Sequence, residues 1–223
     1  MKHAFIMDPL DKVKTHKDTS YFLMLAACEQ GHQVYYLDAG DLYVKDSSVM
    51  ATAQRVNVQD DPQAPFEPES EESVLMADMD AVWIRTDPPV DRAYFYMTML
   101  LDLLPASVKV INRPSTIRDW NEKLAALQYS QFTPATMVAR QSAQIVDFVH
   151  QHGRTTLKPI DGHGGAGILF VNSEQPDLES QIRLATHGGS HWVIVQQYLD
   201  AAKEGDKRIL LLNGEPLGAL LRL

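Results

Sequence analysis

The chain has 223 residues, 45% of them hydrophobic and 22% charged, which is enough for one large domain or two smaller ones with their own cores. These proportions exclude collagen-like, disordered and disulfide-scaffold classes. The 20 Lys and Arg against 29 Asp and Glu give a formal charge of −9, which argues against a general nucleic-acid or membrane-surface binder but not against one local basic site. Cys28 is the only cysteine, so no intrachain disulfide or cysteine metal cluster is expected, and a reducing cytoplasm fits. The opening run MKHAFIMDPL is broken by Asp8 and Pro9, too short for a signal peptide, and no stretch reaches the roughly 20 apolar residues of a membrane span.

The elements begin as strand, loop, helix, strand. His3–Met7 is a short apolar run, and Asp18, Thr19 and Ser20 offer N-caps for a helix over 21–30 that Gly31 stops. That helix is apolar nearly all round, which predicts burial on more than one side. With the strand at Gln33–Asp38 it forms a βαβ unit, the start of a parallel sheet. Residues 60–72 hold Asp60, Asp61, Glu67, Glu69, Glu71, Glu72 and three prolines but no basic residue, and read as a solvated loop. A strand at Ala81–Arg85, a helix from Asp91 to Leu104 and a strand at Val108–Ile111 follow. Asp8, Asp38, Arg85–Asp87 and Asn112–Arg113 fall at strand carboxyl ends, where open α/β sheets bind ligands; polar loops also follow buried strands for purely structural reasons.

The texture changes after Pro114, and a domain boundary is expected near 114–122. Helical signals over 119–130 lead to a strand near 135–139, then a helix over 142–152 with Ile145, Phe148, Val149 and His152 on one face. His152 there suits the helix dipole. Strands at Thr155–Lys158 and Gly167–Val171, a helix over 177–187, a strand at Trp192–Val195 and a hairpin across Asn213–Gly214 complete an α+β half. His187 and His191 are four apart, but Gly188 and Gly189 break the helix that a metal-binding pair would need. Cys28 reads as core.

The segment Lys158–Ile168 is the richest in chemistry. Four of the 12 glycines lie at positions 162–167, between two strands. Such a loop can bring successive N–H groups onto an anion, and Lys158 adds a point charge, so the natural guest is a polyphosphate. It is neither a Walker loop, lacking the terminal Gly-Lys-Ser/Thr, nor a dinucleotide fingerprint, because a strand follows it. The structural alternative is a plain hairpin tip. Lys123 at the boundary, the polar end of Val193–Leu199, and Gly205–Arg208, where Asp206 and Arg208 share a short turn or form a surface ion pair, are further candidates.

In order along the chain, Met7-Asp-Pro9, Lys17-Asp-Thr-Ser20, Arg85-Thr-Asp-Pro-Pro89, Asn112-Arg-Pro114, Arg118–Leu124, Leu157–Gly167, Gln197-Tyr-Leu199, Gly205–Arg208 and Asn213–Pro216 resemble the prokaryotic glutathione synthetase family of the ATP-grasp superfamily. The glycine loop points only to the superfamily; the Arg-x-Asp-Pro-Pro and Arg-Asp-x-Asn-Glu-Lys stretches point to the family. The resemblance implies an α/β fold, with an N-terminal open parallel-sheet (Rossmann-like) domain on the substrate side over 1–120, and an incomplete ATP-grasp α+β domain over 121–223. It implies ATP as co-substrate, with Lys123 and Lys158 on the phosphates and Gly162, Gly164, Gly165, Ala166 and Gly167 in a loop over them. Gln197, Tyr198 and Leu199 would border adenine and Asp206 the ribose, while Arg208 and Arg222 would meet the transferring phosphate. Asp18, Ser20, Arg85 and Asp87 would receive the substrate γ-glutamylcysteine, and glycine would be the acceptor. Magnesium would use ligands beyond residue 223, since the family's later strands and acidic and Asn ligands are not in the 223 residues; the apolar end Leu217–Leu223 would otherwise be an open edge. A homo-oligomer, a tetramer by resemblance, is implied, with no nucleic-acid or membrane partner. A ligase for another acid and amine, and a non-catalytic ATP-binding module, are the alternatives; the acceptor that stimulates ADP formation separates them.

Overall fold

A computed structural model gives residues 1–162 and 164–222, which divide into two compact units, Met1–Asn121 and Glu122–Leu223. In the first, β1 (Lys2–Ile6), α1 (Thr19–Glu29) and β2 (Gln33–Leu37) form the βαβ unit, with β1 and β2 parallel. The Asp18 carboxylate accepts from the amides of Ser20 and Tyr21 at 2.7 and 3.3 Å and so caps α1, and Gly31 ends it at φ +73°. α1 is one-sided rather than buried all round: Tyr21, Met24 and Ala27 are buried, whereas Phe22 is 51% exposed.

Next come β3 (Leu42–Lys45), β4 (Ser48–Val58) and β5 (Phe66–Leu75), all joined antiparallel through β4, then β6 (Ala81–Ile84), α2 (Arg92–Leu101), β7 (Lys109–Ile111) and α3 (Pro114–Asp119). The sheet order is β3-β4-β2-β1-β6-β7 with β5 on the far edge of β4, and β2-β1-β6-β7 is its parallel part. Both faces are covered there. Ala4, Ile6, Val82 and Ile84 pack with Met97 and Leu101 of α2; Phe5, Met7 and Val34 pack with Tyr21 and Met24 of α1. Two-sided burial is why these strands read as continuous apolar runs.

The acidic stretch corrects the expectation of a solvated loop. Residues 66–72 are strand, paired with β4 in a register that runs Val58↔Phe66 to Met50↔Leu75. Glu67 through Ser73 are exposed on both faces, so β5 has no apolar alternation to reveal it; its charges suit an edge. β4 does alternate, burying Val49, Ala51 and Ala53 and then, past a bulge, Val56 and Val58.

The second unit contains β8 (Thr136–Ala139), α4 (Ser142–His152), β9 (Thr155–Pro159), β10 (Leu169–Val171), α5 (Leu178–Ala185) and β11 (Val193–Gln197), with the antiparallel order β10-β9-β11-β8. β12 (Asp206–Leu212) and β13 (Glu215–Arg222) make a hairpin whose turn residues Asn213 and Gly214 have φ of +52° and +86°. The helical signal over 119–130 resolves differently. α3 starts at Pro114, which pre-sets the dihedral of a first helical residue, and Ala125–Phe132 is a 3-10 segment interrupted at Tyr129. That segment buries no residue fully, so no apolar stripe drives it into an α-helix. Among the described residues no helix is long and apolar enough to cross a membrane.

One polar chain sits inside the first unit. The indole N–H of Trp83 donates to Nδ1 of His3 at 3.1 Å, and His3 Nε2 lies 3.1 Å from His32 Nδ1. Burial first, then the charges of His32 and the N-terminus, lower the pKa of His3, with Asp80 opposing them. The neutral ring is the form that accepts from the indole. A folded pKa below the unfolded one means that this contribution is intact above about pH 6.5 and is lost as the pH falls through the folded value. Urea unfolding of the wild type should therefore weaken on acidification below about pH 6.5 by more than that of His3→Gln; parallel declines in the two proteins would remove His3 as the source.

Candidate functional site

Strand alternation builds the site in the second unit. β9 and β11 pair as Leu157↔Val195 and Lys158↔Ile194, and β11 and β8 as Ile194↔Val138 and Gln196↔Thr136. Leu157, Val193, Val195 and Ala139 pack on Ile145, Val149 and Ile182 of the helices. The intervening residues Lys158, Ile194, Gln196 and Thr136 therefore share the other face. The 3-10 segment covers that face, and Lys123, Ala126, Leu127, Thr133, Thr136, Lys158, Ile194 and Gln196 line a cavity of about 230 Å³.

The donors in this cavity have defined directions. Lys158 Nζ donates to Gln196 Oε1 at 2.8 Å, Gln196 Nε2 donates to the Thr136 hydroxyl at 2.8 Å, and that hydroxyl donates to the Pro134 carbonyl at 2.7 Å. The carboxamide is oriented by its two partners and holds one ammonium proton, leaving two others for a guest. Burial, and then the neighbouring Lys123 charge, push the Lys158 pKa down. A second cation beside it in a half-buried pocket lowers the capacity of Lys158 to stay charged, and an anion restores it. Lys123 also donates to the carbonyls of Ile160 and Gly162 at 3.1 and 2.5 Å and pairs with Glu122 at 3.1 Å, so it ties down the start of the glycine loop.

In that loop Gly164, Gly165 and Gly167 have φ of +58°, +80° and +73°. Gly162 is needed for a different reason: a Cβ there would lie 2.6 Å from Pro159 Cγ and 3.2 Å from the Ala166 carbonyl. His163 lies outside the described residues. At the end of β11 the amides of Gln197 and Tyr198 donate to the carbonyls of Ala135 and Arg154, at 2.9 and 3.0 Å, and Leu199 is 53% exposed. The Arg154 guanidinium lies 3.8 Å from the centre of the Tyr198 ring, which fixes that ring.

Gly205–Arg208 is not the expected short turn. Asp206 and Arg208 both lie on β12, and Asp206 faces Arg222 of β13 across the ladder. The ion pair of Asp206 is with Arg222, through Oδ2, and not with Arg208. Alternation and register put all three on one face of the hairpin.

In the first unit, Asp18, Ser20, Arg85 and Asp87 line one cavity of about 210 Å³ with Met7, Asp8, Pro9, Lys12 and Val13. Arg85 Nε donates to the Ser20 hydroxyl at 2.9 Å, and the Asp87 amide donates to Asp8 at 2.8 Å. Asp38, by contrast, caps its own turn through the Gly40 amide at 2.8 Å. Sequence reasoning missed Gln196, Thr136 and Lys12. Gln196 and Thr136 meet only through strand register, and Lys12 gave no signal beyond its proximity to Met7-Asp-Pro9. Among the described residues no three His, Cys, Asp or Glu side chains gather as a metal site.

Residues 1–118 match the family described as "Prokaryotic glutathione synthetase, N-terminal domain" and residues 122–223 the one described as "Prokaryotic glutathione synthetase, ATP-grasp domain". The chain is 40% identical over 229 residues to a glutathione synthetase of Gloeobacter violaceus, covering 100% of this chain and 71% of that one. It is 35% identical over 218 residues to a Vibrio cholerae glutathione synthetase, covering 97% and 69% respectively. Among solved structures it is similar to a RimK domain ATP-grasp protein from Sphaerobacter thermophilus, with a TM-score of 0.64 at 19% identity over 100% of this chain and 73% of that one. D-cycloserine synthetase DcsG gives a TM-score of 0.64 at 15% identity over 98% and 67%. At those identities the likeness is one of fold.

The two kinds of loop glycine should separate by substitution. Gly165→Ala meets no neighbour but keeps a left-handed backbone, so it should lower the unfolding free energy by about 1–2 kcal/mol, and Gly165→Asn should lower it less. Gly162→Ala has an ordinary φ but must displace Pro159, so it should alter protease cleavage of the loop as well as stability. Urea unfolding and limited proteolysis would check both; equal tolerance at 162 and 165 would contradict the distinction.

Proposed function

The chain belongs to the prokaryotic glutathione synthetase family, and from that premise we propose how its two units serve an ATP-dependent ligase that joins γ-glutamylcysteine to glycine. The reaction releases ADP and phosphate. The cysteinyl carboxylate attacks the γ-phosphorus of ATP, the bond to ADP breaks, and an acyl phosphate forms. The free amine of glycine then adds to that carbonyl, loses its proton, and phosphate leaves. A carboxylate approaching a triphosphate is repelled by it, so the protein must hold positive charge and N–H donors in place beforehand.

The observation that carries the assignment of ATP to the second unit is the oriented ammonium of Lys158 beside Lys123 in a cavity with an otherwise neutral lining. Lys158 offers its remaining donors to phosphate oxygens, and Lys123 joins it while anchoring the loop. Gly162, Gly164, Gly165, Ala166 and Gly167 bring backbone amides over the phosphates. Because the Gln197 and Tyr198 amides are already engaged, the adenine edge is assigned to the amide of Leu199, with Gln197 and Tyr198 as its border. Arg222 engages only Oδ2 of Asp206, which leaves Oδ1 for a ribose hydroxyl, while Arg208 and Arg222 face the transferring phosphate. Asp18, Ser20, Arg85 and Asp87 receive the dipeptide. Magnesium accompanies ATP in this reading, but the described residues form no site for it, and no step above is routed through it. A cytoplasmic homo-oligomer acting on small molecules is the setting we assign. No observation favours another acid–amine pair or a non-catalytic module.

The wild-type protein incubated with Mg-ATP, γ-glutamylcysteine and glycine should yield glutathione and ADP in equal amounts by mass spectrometry; ADP without glutathione would overturn the choice of substrates. Lys158→Ala should weaken ATP binding about tenfold or more, from the loss of a hydrogen bond to a charged group, with its unfolding midpoint little changed. In the wild type, ATP affinity should begin to fall with rising pH before the ordinary lysine range, because the Lys158 pKa is lowered and the cation is the binding form. Unchanged affinity in Lys158→Ala would remove that residue from the phosphate site.

A further inference from the structure

We propose that the cavity of the first unit reads an α-amino-acid head group, its carboxylate on Lys12 and Arg85 and its ammonium on Asp87, and that the group it takes is the γ-glutamyl end of the dipeptide. The choice of dipeptide rests on the ligase reading above; the class of head group does not.

The position comes from topology. β1 lies between β2 and β6: the chain passes from β1 through α1 to β2 on one side, and returns after β3, β4 and β5 to β6 on the other. The crevice at the carboxyl ends of two such strands is where open α/β sheets take ligands. Met7, Asp8 and Pro9 follow β1, and Arg85 and Asp87 follow β6.

The chemistry comes from which groups are already engaged. Asp18 is taken up by the two amides at the start of α1. Asp8 accepts the Asp87 amide. Arg85 is turned by its Nε–H to Ser20, and its terminal nitrogens make no hydrogen bond or ion pair among the described residues, although its charge reaches the Tyr94 hydroxyl. Lys12, on a short 3-10 turn, makes no hydrogen bond or ion pair among the described residues, and the carboxylate of Asp87 likewise accepts none. What remains is two cations and one carboxylate in one cavity. A simple anion would meet Asp8, Asp18 and Asp87, and a simple cation would meet Lys12 and Arg85; a zwitterion satisfies both signs. Met7, Pro9 and Val13 give the same cavity an apolar side for the methylenes of a side chain.

The reaction separates the two zwitterions that could fit. Glycine must present a free amine to the acyl phosphate, and a carboxylate at its nitrogen would favour the unreactive ammonium form. The α-amino and α-carboxyl groups of the γ-glutamyl end take no part in either step, so they can stay charged and paired throughout. Held there, they anchor the dipeptide by its far end and leave its cysteinyl carboxylate to react.

The test is calorimetric binding to the full chain, with and without a non-hydrolysable ATP analogue. The ligands are reduced γ-glutamylcysteine, glutarylcysteine, which lacks the α-ammonium, and 4-aminobutyrylcysteine, which lacks the α-carboxylate. Each analogue should bind the wild type about tenfold or more weakly than the dipeptide. Lys12→Met should lose a similar factor for the dipeptide but none for 4-aminobutyrylcysteine, and Asp87→Asn should do the same with respect to glutarylcysteine, as coupled pairs require. Both positions are exposed, and circular dichroism would confirm folding of the variants. Equal binding of all three ligands, no binding of the dipeptide, or equal losses for dipeptide and analogue would overturn the proposal. Glutathione synthesis is scored separately. The binding pattern without product would overturn the ligase reading alone, and product without the pattern would overturn the head-group assignment alone.

Discussion

The register between β9, β11 and β8 is the constraint on which the nucleotide half depends. One face of the three strands gives Leu157, Val193, Val195 and Ala139 to the helices, and the register then leaves no choice for the other: Lys158, Gln196 and Thr136 must share it. A slip of one residue would turn the lysine into the apolar core and put leucine in the cavity. The burial that stabilises the unit is thus also what puts its cation on the cavity face, where the Gln196 carboxamide directs it.

Electrostatics then favour a specific class of guest. A half-buried lysine beside a second lysine is weakened as a cation, and the Gln196 carboxamide steadies its direction without neutralising its charge. A carboxylate at position 196 would pair with the ammonium and compete with phosphate; an aliphatic residue would leave the ammonium unaimed and the Thr136 hydroxyl without its donor. A neutral, bifunctional amide avoids both. Lys123 solves a separate problem, since the loop carbonyls of Ile160 and Gly162 that it gathers would otherwise face incoming phosphate oxygens as like partial charges.

Much of this was legible in the sequence where a local rule is strong. The Asp18 cap, the Gly31 stop, the 142–152 helix and the Asn213–Gly214 hairpin each rest on a few adjacent residues and stand in the structure. The failures share a cause. β5 has no period of its own and exists because β4 offers an edge; the 119–130 helix dissolves because no core face meets it. The site divides the same way. The glycine density and Lys158 were visible, whereas Gln196, Thr136 and the Asp206–Arg222 pair are made by partners 60, 38 or 16 residues away, across ladders whose register only the folded sheet defines.

The same reasoning explains why the first unit carries mixed charge while the nucleotide cavity does not. A polyphosphate is an anion in every state of the reaction, so lysines and amides suffice for it, and a carboxylate on the cavity wall would only oppose it. A ligand that must be held by an end that does not react, while its other end changes from carboxylate to acyl phosphate, needs recognition that is indifferent to that change. Paired opposite charges at Lys12, Arg85 and Asp87, in the reading proposed above, would supply it: the field of a bound zwitterion falls off faster than that of a net charge, so converting the distant carboxylate to the more anionic acyl phosphate would alter the anchored end little. In the proposed reaction, binding energy at that end would then be nearly the same before and after phosphoryl transfer, and the intermediate would be retained for the amine to reach it.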